Sequence, residues 1–427
     1  MKASLSGVVM LLAVGTALAA ARLEPTRTTL TVATHYNHEQ IRPLMACFRQ
    51  YEQSHPGITV VHRQLSYRDF LQTLFMARIS GSPPDIYNLQ AVWAAQLVQS
   101  GSLAVPPPEV AGFIRQAYLP ATVDAVTLDG RAWGIPSEVN VYMLVYNKIL
   151  LAKAGYQEPP TAWDELIEVA KKVSKVNRQG HQTVAGFAFG TTPPQAVNPF
   201  LALLFSKGVS LFSDDRRSTN LTRREAIEVL EGEVRLFKEH GTSAAATPYR
   251  FPSGTVGMMI MPNWFKATIR QGLGPRFNET VGVAPVPGGP NWRTLQYGFF
   301  WAVDANSAHS TDAWALLTWL NSQQTPGGRS CAGEMLIALG ALTANRADLA
   351  ASTAELTDSF MKPFVEALST GRAVPEASVR NAAEVEGILK SYIERAWLGR
   401  LSPERALTEA DRVIRMILAE SEGGHDR

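Results

Sequence analysis

From residue 28 onward the apolar positions alternate between two periods. Thr29 to Thr34 is a short strand-like run, and Glu39 to Ser54 places its apolar residues at helical spacing before Pro56-Gly57 stops it. Ile58 to His62 returns to a strand pattern. Tyr67 to Ile79 returns to a helical one that ends at Gly81 ahead of Pro83-Pro84, and Asp85 to Leu89 reads as a third strand. Strands and helices alternating through short connections predict βαβ units and a largely parallel sheet covered on both faces, an α/β fold. Ligands of such sheets sit beyond the carboxyl ends of the strands, so the loops after the first and third strands are the places to look.

Past the turn at Pro106-Pro107-Pro108, Val139 to Tyr146 is extended over more residues than a hairpin arm needs and reads as a crossing between two lobes. A second α/β pattern follows. Thr161 is expected to cap a helix through Val176 behind Pro159-Pro160, Val184 to Phe189 to form a strand, and Thr222 with Glu225 to form a capping box opening a helix to His240. Val256 to Met261 is an apolar strand, after which Asn263-Trp264 begin a short helix. Val281 to Val286 and Phe299 to Val303 flank the turn at Pro287 to Pro290, where the return crossing is expected. From Asp312 the tail reads as mostly helical, including Asn381 to Leu398 and a last helix, Glu404 to Ala419, capped by Ser402 with Pro403 at its first position.

Length changes this picture only by demanding more than one core: 427 residues exceed what a single one supports. Hydrophobic residues are 46% and charged residues 18% of the chain, an ordinary globular balance, and a formal net charge of +2 gives no basic face for nucleic acid. Met1-Lys2 precedes an apolar run from Gly7 to Leu18, about 12 residues where a spanning helix needs about 20, and Ala17-x-Ala19 offers a small-residue cleavage site. Residues 1–21 are therefore expected to be a cleavable signal peptide. No Cys follows the run, so the expected location is the periplasm, without a lipid anchor. Cys47 and Cys331 fit no C-x-x-C or Cys/His pattern, which leaves a disulfide and two separate buried thiols both open. No metal site, cofactor or nucleophile motif is found.

Several landmarks, in order and at compatible spacing, resemble the family 1 extracellular solute-binding proteins, the group that includes the maltose-binding protein. They are Gly81-x-x-Pro84-Asp85-Ile86, Trp133-Gly134-Ile135-Pro136 leading to Tyr146-Asn147-Lys148, Ala154-Gly155, and Pro159-Pro160-Thr161-x-Trp163-Asp164-Glu165-Leu166. Phe251-x-x-Gly254-x-x-x-Met258 through Trp264, the Val283 to Gly288 turn and the Asp312 to Asn321 helix continue the set. Thr255 departs from the family, which often has Lys there. The resemblance implies a two-lobe periplasmic-binding-protein fold with crossings near Glu138 to Val141, Val283 to Val286 and Ser322 to Thr325. Lobe one would be residues 28–137 plus 285–321, and lobe two 138–284 plus 322–427. It also implies a monomeric substrate-binding subunit that delivers a sugar or small oligosaccharide to the membrane permease of an ABC importer.

A sugar presents hydroxyls at its rim and C–H patches on its faces, so its site needs aromatic plates and planar donors and acceptors. Candidates in the right loops are His35, Tyr36 and Asn37 after the first strand, Asn88, Gln90 and Trp93 at the third, and Glu138 and Asn140, with Tyr142, on the crossing. Asn263 and Trp264 follow the apolar strand, Trp264 at the position that resembles a stacking tryptophan in the family, and Tyr297, Gly298 and Phe299 return aromatics to the rim. Asp85, Trp133 and Trp163 read as structural, and Arg380 as a surface charge. Two alternatives stand beside the sugar receptor. A receptor for an anionic glycerophosphoester needs a basic cleft, for which His35, Arg380 and helix N-termini are the candidates; a secreted glycan-active enzyme needs paired carboxylates.

Overall fold

The computed structural model describes residues 27–420 apart from positions 68 and 244, and the expected signal peptide, residues 1–21, lies outside the described residues. The first strand, β1 (Thr28–Thr34), leads into helix α1 (His38–Ser54), which turns Ile41, Leu44, Cys47, Phe48 and Tyr51 inward at helical spacing. Strands β2 (Ile58–Gln64) and β3 (Ile86–Gln90) flank β1 in parallel. The chain then runs into β4 (Ile135–Asn147), a 13-residue strand. Helix α2 (Trp163–Val173), strand β5 (Gln182–Phe187) and helix α3 (Arg224–Lys238) follow, and after them β6 (Val256–Pro262), β7 (Val281–Ala284) and β8 (Thr294–Val303).

Strand β4 belongs to both halves of the sheet. Its beginning pairs antiparallel with β8, from Trp301 opposite Ile135 to Gln296 opposite Val141, and β8 in turn pairs with β3. Its end pairs with β6, from Tyr142 opposite Pro262 to Tyr146 opposite Met258, and with β7. The partner changes at Val141 and Tyr142, within the extended stretch that the sequence reads as a crossing. Side chains alternate along β4, so Val139, Val141, Met143 and Val145 enter one buried cluster while Tyr142 and Leu144 enter another. With both faces covered, even its polar residues Ser137, Glu138, Asn140 and Asn147 are buried.

Two helix starts differ from the sequence expectation. Helix α2 begins at Trp163 with Ala162 as its cap, and Glu165 reaches back to accept the Thr161 N–H at 2.8 Å. Thr222 is taken up by a turn in which the Arg223 N–H donates to the Asn220 carbonyl, so α3 starts after it and no capping box forms with Glu225. At α1 the reverse holds. Asn37 accepts from the Gln40 N–H at 3.0 Å while the Gln40 side chain accepts the Asn37 N–H at 2.9 Å, a complete capping box.

The tail is less uniform than its helical pattern. Helix α4 (Cys331–Leu339) packs on α1, and a disulfide between Cys47 and Cys331 joins the two. A short strand, Leu342–Thr343, then pairs with β4 at Val139 and Glu138, and Ala373–Pro375 runs parallel to the start of β8. Helices α5 (Ala382–Trp397) and α6 (Pro403–Glu420) pack on each other and on α3. The stretch from Cys331 to Thr343, grouped by the sequence reading with lobe two, therefore sits against α1 and the first half of β4. Among the described residues no helix is long and apolar enough to cross a membrane.

Candidate functional site

A small cavity opens beside the first half of β4, lined by Glu138, Tyr297, Gly298, Phe299, Gln296 and Glu376 among others. Three elements meet there: β4, the bulged start of β8, and the tail just after Ala373–Pro375. Gly298 sits at the irregularity in the β8 register, where a Cβ would come 2.9 Å from the Glu138 carbonyl oxygen. The close approach of the two strands at this point requires glycine.

Glu138 is buried at 5% exposure and held by two donors, the Tyr36 hydroxyl and the Asn140 Nδ2, the latter at 2.6 Å. Burial raises its pKa, and these two hydrogen bonds oppose the rise. His35, at the end of β1, stacks on Phe299 with ring centroids 4.6 Å apart and lies 4.1 Å from the Tyr36 ring. Its Nδ1 is buried without a partner, and desolvation pushes its pKa down to about 3, so it is a neutral imidazole at physiological pH. Trp264, half-buried, donates from Nε1 to the Tyr297 hydroxyl at 2.8 Å, and the Tyr297 ring lies 5.8 Å from Tyr142 and 6.0 Å from Phe299. These contacts link the His35, Phe299, Tyr297 and Tyr142 rings and Trp264 in one aromatic cluster.

Other expected site residues have structural duties. Asn37 caps α1 and is exposed. Trp93, at 6% exposure, packs between Tyr67 and Phe70. Asn88 is buried in β3 with neither side-chain polar atom partnered, opposite Trp301 in the sheet register. Gln90 accepts from the Tyr67 hydroxyl at 2.8 Å. Asn263 is fully buried and ties the crossing together: its Oδ1 accepts the Val141 N–H at 2.8 Å, and its Nδ2 faces Val139 O, Asn140 Oδ1 and Gly340 O at 3.3–3.4 Å. Asn263→Ala is expected to lower stability by about 2 kcal/mol, because the Val141 N–H is left buried and unpaired. Urea unfolding checks this, and a loss under about 0.5 kcal/mol would mean that the N–H finds another acceptor.

Three residues that sequence reasoning passed over belong to the same surroundings. Tyr67 is coupled electrostatically to Glu138, Glu376, Glu386 and Tyr142. Glu376 lines the cavity and also a smaller adjoining one, to which Glu386 of α5 contributes. Burial alone pushes Glu376 up to about 7; burial and then the neighbouring Glu376 push Glu386 up to about 8. The available signal was an acid on the inward face of α5, one position after the buried Val385 and three before the buried Leu389. Among the described residues no group of acids, histidines and cysteines is arranged to hold a metal ion.

The chain is similar to several known proteins. A putative binding protein of Brucella abortus is 26% identical over 377 residues, covering 80% of this chain and 88% of its own. The arabinooligosaccharide-binding protein of Halalkalibacterium halodurans is 25% identical over 241 residues, 54% of this chain and 52% of its own. Among solved structures, the GacH receptor of Streptomyces glaucescens, determined unliganded and with acarbose, matches with a TM-score of 0.78 at 21% identity, covering 92% of this chain and 99% of that one. That likeness establishes the two-lobe periplasmic-binding-protein fold. Residues 37–325 match the family model itself, and the chain belongs to the bacterial extracellular solute-binding proteins.

Proposed function

We propose that this protein is the substrate-binding subunit of an ABC importer, that it captures a sugar or small oligosaccharide in the cavity beside β4, and that it delivers this ligand to the membrane permease. The observation that carries the reading is the pairing of Tyr297 and Phe299 with Glu138 in one cavity lining, with His35 stacked behind Phe299 and Trp264 donating to Tyr297. Rings cover the C–H faces of a pyranose while carboxylates and amides take its hydroxyls. The cavity linings contain no Lys or Arg, which disfavours the anionic glycerophosphoester. The named relatives are binding proteins, in keeping with capture and not turnover.

The lobes in this proposal are residues 28–137 with 285–321, and 138–284 with the remaining tail, except that Cys331 to Thr343 travels with the first. Ligand bridging both lobes favours the closed state by its differential contacts. A buried disulfide suits an oxidising compartment, so export and a monomeric periplasmic form complete the picture.

A thermal-shift panel of mono- and oligosaccharides and glycerophosphoesters tests the proposal. A saccharide at 100 times its Kd is expected to stabilise by about 2.7 kcal/mol and to change tryptophan fluorescence. Trp264→Ala is expected to weaken that saccharide about 10-fold or more, since it removes a stacking face and the donor to Tyr297. Stabilisation by phosphoesters and by no saccharide would reverse the assignment.

A further inference from the structure

Three carboxylates surround the joined cavities: Glu138 from β4, Glu376 from the tail and Glu386 from α5. Glu138 has its two donors, but among the described residues the side chains of Glu376 and Glu386 make no hydrogen bond or ion pair, and Glu386 feels the like charge of Glu376. A further acceptor stands idle, because Gln296 is 3% exposed and lines the larger cavity with its Oε1 buried and unpartnered.

Several donors near the cavity are already engaged. The Tyr36 hydroxyl and Asn140 Nδ2 are spent on Glu138, the Tyr67 hydroxyl on Gln90, and the Trp264 Nε1 on Tyr297. His35 stays neutral, and neither cavity lining contains a Lys, Arg or His. Carboxyl groups thus outnumber cationic groups in both linings. Glu376 and Glu386 are partly buried, and a carboxylate withdrawn from water without a cation is costly, so a ligand that brings a cation is complementary to these walls.

We propose that the ligand is an aminated saccharide, whose protonated amine is held between Glu376 and Glu386 while its rings lie on the aromatic cluster. The proposal rests on the saccharide-receptor reading and specifies its substrate class. An ammonium supplies three donors and a charge, whereas a hydroxyl supplies one donor and no charge. The groups facing this position are the acids Glu138, Glu376 and Glu386 and the un-ionised Tyr67, Tyr142 and Tyr297. With Glu376 raised to about 7 and Glu386 to about 8, the two carboxyls hold part of a proton each at neutral pH. A bound cation drives them to ionise, so capture releases protons.

Calorimetry on the mature protein at pH 7 tests this with matched pairs: glucosamine against glucose, galactosamine against galactose, and glucosamine oligomers against cello-oligosaccharides of the same length. In at least one pair the aminated member is expected to bind about 10- to 100-fold more tightly. Its apparent enthalpy should vary with the buffer's ionisation enthalpy in the direction of proton release. Glu376→Gln with Glu386→Gln should abolish both the preference and the proton release. Both substitutions are isosteric and remove buried charge, so the unliganded melting temperature, expected to hold or rise, verifies folding. If neutral members bind and the aminated ones bind no better, the amine proposal is overturned and the saccharide receptor stands. If only spermidine, added as a sugar-free cation, binds, or if nothing in the series binds, the receptor reading falls as well.

Discussion

Replacing Cys47 and Cys331 together by serine is expected to lower the stability of the folded protein by about 2–5 kcal/mol. The bridge closes a loop with a sequence separation of 284 residues, and most of its effect falls on the unfolded chain, whose freedom it restricts. Both sulfurs are buried, Cys331 fully, between α1 and α4, so the serine pair also places two hydroxyls in an apolar contact. Guanidinium unfolding of the wild-type protein with and without reductant, compared with the double variant, separates these contributions. The reduced wild type should approach the variant, and the oxidised wild type should unfold at the highest concentration with the smallest m-value, because a cross-linked unfolded chain exposes less surface. A wild type indifferent to reductant would show that the bridge contributes nothing.

The second large effect concerns a carboxyl remote from the cavity. Glu233 of α3 is fully buried; its Oε2 accepts from Trp397 Nε1 at 2.9 Å and its Oε1 has no partner. Burial pushes its pKa from the ordinary 4.5 up to about 8, against the weaker opposing pull of the Trp397 hydrogen bond. Between these values the folded state keeps a proton that the unfolded state has already lost. Wild-type stability therefore falls as pH rises from about 4.5 to about 8 and is constant in this respect above that. Glu233→Gln keeps the shape and the acceptor for Trp397 but carries no charge at any pH. Its stability relative to wild type is expected to grow across that window by an amount on the order of 4 kcal/mol. Thermal or urea unfolding at pH 5 and pH 8 checks the sign, and a gap that stays constant or narrows with rising pH would contradict it.

How much of this was legible in the sequence depends on how local the cause is. The long strand β4 was readable because the run from Val139 to Tyr146 is extended over more residues than a hairpin arm needs, and the apolar strand ending at Met261 before Asn263-Trp264 followed from its own composition. Asn37 shows a local cause misassigned: Asn-x-x-Gln is a helix-start pattern, and the cap claimed the side chain that had been allotted to ligand. Trp93 was drawn inward by Tyr67 and Phe70, which lie more than twenty residues earlier and were not counted. The positions of Glu376 and Glu386 depend on the tail returning to pair with the start of β8, a contact with no signature in either segment. The pairing of Cys47 with Cys331 is equally non-local, and spacing by itself left it open.

That bridge has a bearing on how the chain acquires its shape. Any polypeptide delivered amino end first presents Cys47 long before Cys331, and β3 must likewise wait for β8 to supply its antiparallel neighbour. The first βαβ units thus lack these partners until most of the sequence has arrived, and long-range pairing of this kind is slow to form. The segment that completes the opening layers comes late, so a truncation before residue 331 would leave α1 with an unpaired thiol and β4 without its Leu342–Thr343 partner.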